Sequence, residues 1–97
     1  MSTTSNGLRI EGELTIYRAA ELAAAMKAAL AEVPAGAAFE LDLAEVTEMD
    51  SAGVQLLIAA RRSANESGRR LRVAGRSPAV AEVLRTLQLA SHFGDEH

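Results

Sequence analysis

Apolar and polar residues change their spacing several times along the chain, and each change predicts a new element. From Leu8 to Ile16 they alternate on either side of Glu11-Gly12-Glu13, which predicts two short strands joined by a turn, a hairpin. From about residue 18 to 33 the apolar residues are three or four apart, as on an amphipathic helix. Pro34 and Gly36 are expected to end that helix.

The middle of the chain repeats a strand and a helix. Alternation from Phe39 to Leu43 predicts a strand with one polar face, followed by a short acidic and polar turn. A second helix is expected from about residue 52 to 67, with Gly68 as its C-terminal stop. Residues 69–74 then alternate again and predict another strand.

A third helix closes the pattern. Ser77 is its predicted N-cap, Pro78 suits its first position, and it is expected to run to about residue 87. We expect residues 1–6 to be disordered and residues 94–97 to fray. The order of elements predicts an α/β fold: a mixed, mostly parallel sheet of four to five strands with the helices packed on one face.

Composition limits what the chain can be. Its 97 residues, 48% hydrophobic, suit a single domain over residues 1–97. Without cysteine there is no disulfide framework, and we expect a cytoplasmic protein. No apolar run approaches the roughly 20 residues that cross a bilayer, so we expect no direct membrane insertion.

The net charge of -3 is unevenly distributed. Residues 1–50 hold nine acids and three bases, whereas residues 51–97 hold four acids and seven arginines. Six arginines within residues 61–76 form either a solvated helix end and edge strand or a basic face for an acidic partner. Because the chain is acidic overall and has three aromatic residues, we expect no nucleic-acid binding.

The start of the second helix holds the candidate chemistry. Asp50, Ser51 and Gly53 lie where strand gives way to helix, so the Ser51 hydroxyl is placed at a helix N-terminus, where backbone N–H groups are unsatisfied. Ser51 is therefore a helix N-cap, a regulated phosphorylation site, or both. Gly53 lets a neighbouring backbone approach closely.

The sequence contains no clear catalytic or metal-binding pattern. Acidic residues are frequent from Asp42 to Asp50, but no histidine lies near them, which favours a solvated acidic loop over a metal site. There is no Gly-rich phosphate loop and no histidine close to Ser51 that could act as a base. We therefore expect no enzyme, no metal and no cofactor.

Several segments, taken in order, resemble the STAS domain family, which includes the bacterial anti-sigma-factor antagonists. The Asp-Ser-x-Gly block at a strand-to-helix turn is the most specific of them, and the resemblance covers residues 8–93. The segments are Glu11-Gly12-Glu13-Leu14, the apolar helix after it, Phe39–Leu43, Met49–Val54, Leu71–Gly75 and Val83–Leu89.

The resemblance implies a non-enzymatic module that binds protein partners. Ser51 occupies the position of the serine that a partner kinase, also the anti-sigma factor, phosphorylates in antagonists. The unphosphorylated form binds that partner and frees a sigma factor. We expect a monomer or weak homodimer whose partner surface comprises Thr15, Tyr17, Glu48, Asp50, Ser51, Ala52, Gly53 and Val54.

Two positions depart from the antagonist pattern. Thr15 stands where antagonists commonly carry Asp, and Ala52 where many have a second hydroxyl residue. The segment from Leu14 to Leu22 also resembles stand-alone STAS proteins of chemotaxis-type signalling systems. Other relatives are cytoplasmic accessory subunits of lipid-transport ABC complexes, in which case Ser51 is unmodified.

Overall fold

Strands and helices alternate through the part of the chain that the computed structural model describes, residues 1–4 and 6–89. A short 3-10 helix, Ile16–Arg18, precedes the first α-helix. The elements in chain order are β1 (Ser2–Thr4), β2 (Gly7–Leu14), the 3-10 helix, α1 (Ala19–Ala31), β3 (Ala38–Met49), α2 (Ser51–Glu66), β4 (Arg70–Arg76) and α3 (Pro78–Thr86).

The four described strands form one mixed sheet in the order β1-β2-β3-β4. β1 pairs antiparallel with β2, whereas β2 with β3 and β3 with β4 are parallel. Leu41 of β3 lies between Leu8 of β2 and Val73 of β4, and all three side chains are buried. Buried residues of all three helices join this row in one hydrophobic core. The predicted α/β fold is confirmed.

The hairpin predicted around Gly12 is wrong. β2 continues through this residue, which has a φ of +83°, and the register against β3 shifts on both sides of it. The alternation breaks because Gly12 lies in a bulge, where a positive φ is available to glycine. The antiparallel partner of β2 is β1 instead, so the expectation of disorder for residues 1–6 is wrong at Ser2–Thr4.

The acidic turn predicted after Leu43 is also wrong. β3 continues to Met49, and Glu45 and Glu48 lie opposite Glu11 and Glu13 of β2. Strict alternation is lost here because the register shifts, but pairing with β2 keeps the segment extended. The acids that we expected in a loop therefore line the end of the sheet.

The remaining helix signals are confirmed. Gly68 follows α2 with a φ of +78°, and the Ser77 hydroxyl accepts a hydrogen bond of 3.2 Å from the Val80 N–H at the start of α3. Pro78 is the first residue of α3. The fraying expected at residues 94–97 lies outside the described residues.

Charged side chains cover the face of the sheet opposite the helices. Arg72 of β4 forms an ion pair of 3.1 Å with Glu40, and Arg9 of β2 lies 3.8 Å from Glu45. Both pairs join neighbouring strands across a solvated surface.

Within residues 1–4 and 6–89, no helix is both long enough and apolar enough to span a membrane.

Candidate partner-binding site

Asp50 caps the N-terminus of α2. Its backbone is extended, and its Oδ1 accepts a hydrogen bond of 3.0 Å from the Gly53 N–H. Ser51 is the first residue of the helix and its side chain is exposed, so the prediction that Ser51 caps the helix is wrong. Asp and Ser are comparable N-cap residues, and neighbouring positions cannot be ranked by residue type alone.

The second carboxylate oxygen of Asp50 reaches a different element. Asp50 Oδ2 accepts a hydrogen bond of 3.1 Å from the backbone N–H of Ile16, at the start of the 3-10 helix. The Ile16 N–H is the main cause of a lowered Asp50 pKa, and the Gly53 N–H adds to it against an opposing effect of desolvation. Asp50 is therefore ionised at neutral pH, and it joins the 3-10 helix to α2.

Gly53 allows the first turn of α2 to lie against the end of β2. A Cβ at this position would overlap the carbonyl oxygen of Leu14 and lie 3.1 Å from the Leu14 Cγ. The Asp50 N–H points to the same carbonyl at 3.4 Å. The close approach that the sequence predicted at Gly53 is confirmed, and its neighbour is Leu14.

The 3-10 helix is held to β2 by side chains on both sides of it. Arg18 Nη1 donates hydrogen bonds to the carbonyl oxygens of Glu11, at 2.6 Å, and Glu13, at 2.8 Å. The Thr15 hydroxyl donates to the Glu13 carboxylate at 2.7 Å. These contacts present the next two side chains outward: Ile16 is 61% and Tyr17 89% exposed.

The predicted partner-binding residues differ in how much surface they offer. Tyr17, Glu48 and Ser51 are exposed, Asp50 and Ala52 are half-buried, and Thr15, Gly53 and Val54 are buried. The structure brings the segments of Tyr17 and Ser51 together through the hydrogen bond between the Ile16 N–H and Asp50.

Ile16 was missed because the pattern placed it on a strand. Its position directly before Tyr17 and the alanine-rich helix was the available signal. We call Ile16, Tyr17 and Ser51 the Ser51 surface.

Among the described residues, no three His, Cys, Asp or Glu side chains gather as a metal site would require.

A sequence model of the family described as "Mlab, STAS domain" matches residues 1–92. The chain belongs to the STAS domain family. The resemblance seen in the sequence segments is thereby confirmed. None of the curated proteins searched matches this STAS domain.

Two solved structures have the same fold as this STAS domain. A sulfate transporter family protein from Wolinella succinogenes superposes with a TM-score of 0.72 at 20% identity, over 97% of this chain and 76% of its own. The anti-sigma factor antagonist SpoIIAA in its unphosphorylated form superposes with a TM-score of 0.70 at 22% identity, over 100% of this chain and 85% of its own. At these identities the likeness concerns the fold.

Proposed function

We propose that this STAS domain is a non-enzymatic, cytoplasmic regulatory module that binds a protein partner through the Ser51 surface and is switched by phosphorylation of Ser51. One observation carries the proposal. An exposed serine hydroxyl on the first turn of α2 stands beside two exposed apolar side chains, and Asp50 links the two segments. Exposed apolar side chains next to a modifiable hydroxyl suit a regulated protein contact.

Phosphorylation would act through charge. A phosphate adds about -1.5 to -2 charges and three acceptor oxygens. In the free domain, the helix N-terminus and solvent stabilise this dianion. The Asp50 carboxylate already holds the Gly53 N–H, so the phosphate lies beside an acid. A partner covering Ile16 and Tyr17 would have to desolvate both negative groups, and release follows.

The proposed partner is a serine kinase that also serves as an anti-sigma factor, or a related signalling protein. The fold shared with SpoIIAA, an anti-sigma factor antagonist, supports this class. Such a partner would catalyse phosphoryl transfer to Ser51, for which the domain offers an exposed acceptor residue at the start of α2. We expect the domain to act as a monomer or weak homodimer.

A second candidate is an accessory subunit of a membrane transport complex, with Ser51 unmodified. The fold shared with a sulfate transporter family protein supports it. In this case the Ser51 surface would be a constitutive docking site. Intact-mass analysis of all of the domain isolated from cells, free as well as partner-bound, separates the two proposals, since phosphorylation adds about 80 Da to the mass of the released form.

The decisive experiment measures the affinity of the captured, purified partner for charge variants. We expect Ser51→Asp to weaken binding by more than about tenfold and Ser51→Ala to leave it unchanged. Ser2→Asp is the matched control, because it adds the same charge at an exposed serine on β1. Equal affinities of Ser51→Asp and Ser51→Ala would exclude the switch.

A further inference from the structure

A groove runs between α1 and α2, and none of the three residues of the Ser51 surface lines it. It has a volume of about 480 Å³, and apolar side chains supply most of its lining. Met26 and Phe39 form its buried floor, and Leu30 and Leu56 are half-buried in its walls among several alanines. Cavities of about 300 to 1,000 Å³ with apolar linings commonly take small ligands.

The charged side chains of this lining have one sign. They are Lys27 and Arg69, and the lining contains no acid. Within residues 1–4 and 6–89, neither cation forms an ion pair with a carboxylate. The chain as a whole carries a charge of -3, whereas the lining of the groove is positively charged.

Arg69 is held in a fixed orientation at the groove. Its Nε donates a hydrogen bond of 2.7 Å to the carbonyl oxygen of Val33, and its Nη1 donates one of 2.9 Å to that of Ser67. These bonds anchor the guanidinium where both helices end. Lys27, on the exposed side of α1, brings a second and more mobile cation to the same groove.

We propose that the groove binds a single-chain amphipathic carboxylate, a fatty acid of medium length. Its alkyl chain would lie on Met26, Leu30 and Leu56, and its carboxylate would face Lys27 and Arg69. The lining segment of α1, residues 23–31, is about 13 to 14 Å long, which suits an extended chain such as that of laurate. This proposal is independent of Ser51.

Other ligand classes fit the groove less well. A nucleotide gains affinity by stacking its base on an aromatic ring, but the aromatic residue of the lining, Phe39, is fully buried. A neutral alkyl compound gains no attraction from the positive charges of Lys27 and Arg69. A carboxylate on an alkyl chain complements the apolar walls and the positive charge together.

Calorimetry and amide NMR with the full chain test the proposal, with laurate kept below its micelle concentration. We expect one laurate per chain, with dodecanol at least about tenfold weaker and dodecylamine not bound. Laurate should shift the amide resonances of Leu30 and Ala59 and leave those of Ile16 and Ser51 in place. No binding, or shifts confined to residues outside the groove, would overturn the proposal.

Paired variants test the two parts of the ligand. Ala59→Leu, which fills the groove, should abolish laurate binding, and Ala24→Leu, on an exposed part of α1 outside the lining, should not. Lys27→Gln should weaken laurate by about tenfold without affecting dodecanol, whereas Arg62→Gln leaves both unchanged. Thermal denaturation verifies that each variant is folded. Unchanged laurate binding in Ala59→Leu or Lys27→Gln would refute the assignment.

Discussion

The backbone N–H of Ile16 donates a hydrogen bond of 3.1 Å to the carboxylate of Asp50, which lies 34 residues further along the chain. The same carboxylate accepts the N–H of Gly53. One side chain therefore caps α2 and fixes the segment that presents Ile16 and Tyr17. Stability of the domain and geometry of the Ser51 surface both depend on Asp50.

We expect Asp50→Ala to lower the melting temperature by several degrees, because two backbone N–H groups lose their acceptor. Asp50→Asn should lower the melting temperature less, since an amide oxygen can still cap the helix. Thermal denaturation at neutral pH measures both. Glu48→Gln, which removes an exposed negative charge two residues away, serves as the control. An Asp50→Ala variant that melts like the wild type would show that the two hydrogen bonds contribute little.

The contribution of Asp50 should depend on pH. Its folded-state pKa lies below the ordinary value of 3.8, chiefly because of the Ile16 N–H. Its stabilising effect is therefore complete above the unfolded pKa and is lost as the pH falls through the folded pKa. Melting curves should show a constant difference between wild type and Asp50→Ala above about pH 5 and a shrinking one below pH 4.

A second acid also changes the stability of the domain with pH, so the melting temperatures of wild type and Asp50→Ala must be subtracted at each pH. The Glu11 pKa is also lowered, first by a hydrogen bond from the N-terminal ammonium group. Wild type and Asp50→Ala share this group, so subtracting their melting temperatures isolates Asp50. A difference that stays constant down to pH 2 would contradict the assigned role.

Two serines at helix starts should respond differently to alanine substitution. Ser77→Ala should lower the free energy of unfolding by about 0.5 to 2 kcal/mol, because the buried hydroxyl accepts the Val80 N–H. Ser51→Ala should change it by less than about 0.5 kcal/mol, because the exposed Ser51 does not cap α2. Urea denaturation of both variants checks the contrast. An equal loss of unfolding free energy in both variants would show that Ser51 also caps its helix.

Gly53→Ala should destabilise the domain although alanine favours helix. The added Cβ meets the backbone of Leu14, and relieving such overlap costs about 1 to 3 kcal/mol. Gln55→Ala, at an exposed position of the same helix, is the control and should be nearly neutral. Urea midpoints that are equal for Gly53→Ala and Gln55→Ala would mean that β2 shifts away without cost.

The proposed binding role predicts a loss of partner without a loss of stability. The double variant Ile16→Ser, Tyr17→Ser should melt like the wild type, because both side chains are exposed, and should fail to retain the partner in a pulldown. Leu87→Ser removes an apolar side chain that is 50% exposed at the end of α3 and should retain it. Full partner recovery with the double variant would place the contact elsewhere on the domain.

Local signals predicted part of this fold well. Gly68 after α2 and the Ser77-Pro78 start of α3 are correct because each acts through neighbouring backbone atoms. The hairpin at Gly12 and the turn after Leu43 failed for the opposite reason. Both segments are kept extended by pairing between β2 and β3, which are distant in sequence.

In the candidate site, too, the sequence predicted the features that depend on neighbouring residues and missed those that depend on distant ones. The sequence located Ser51 at the start of a helix, and the structure agrees. It could not choose between Asp50 and Ser51 as the cap, because the choice involves the Ile16 N–H as a distant donor. Ile16 itself was missed because its exposure follows from the 3-10 helix that Arg18 and Thr15 hold against β2.

The contact of Gly53 with the Leu14 carbonyl has a consequence for recognition. With no side chain between them, the first turn of α2 lies directly against the backbone at the end of β2, and the Asp50 carboxylate ties the same turn to Ile16. The Ser51 surface is therefore preorganised, and a partner that docks on it would lose little free energy to ordering the domain. Association should then proceed as rigid-body docking, with selectivity set by shape and charge at the surface.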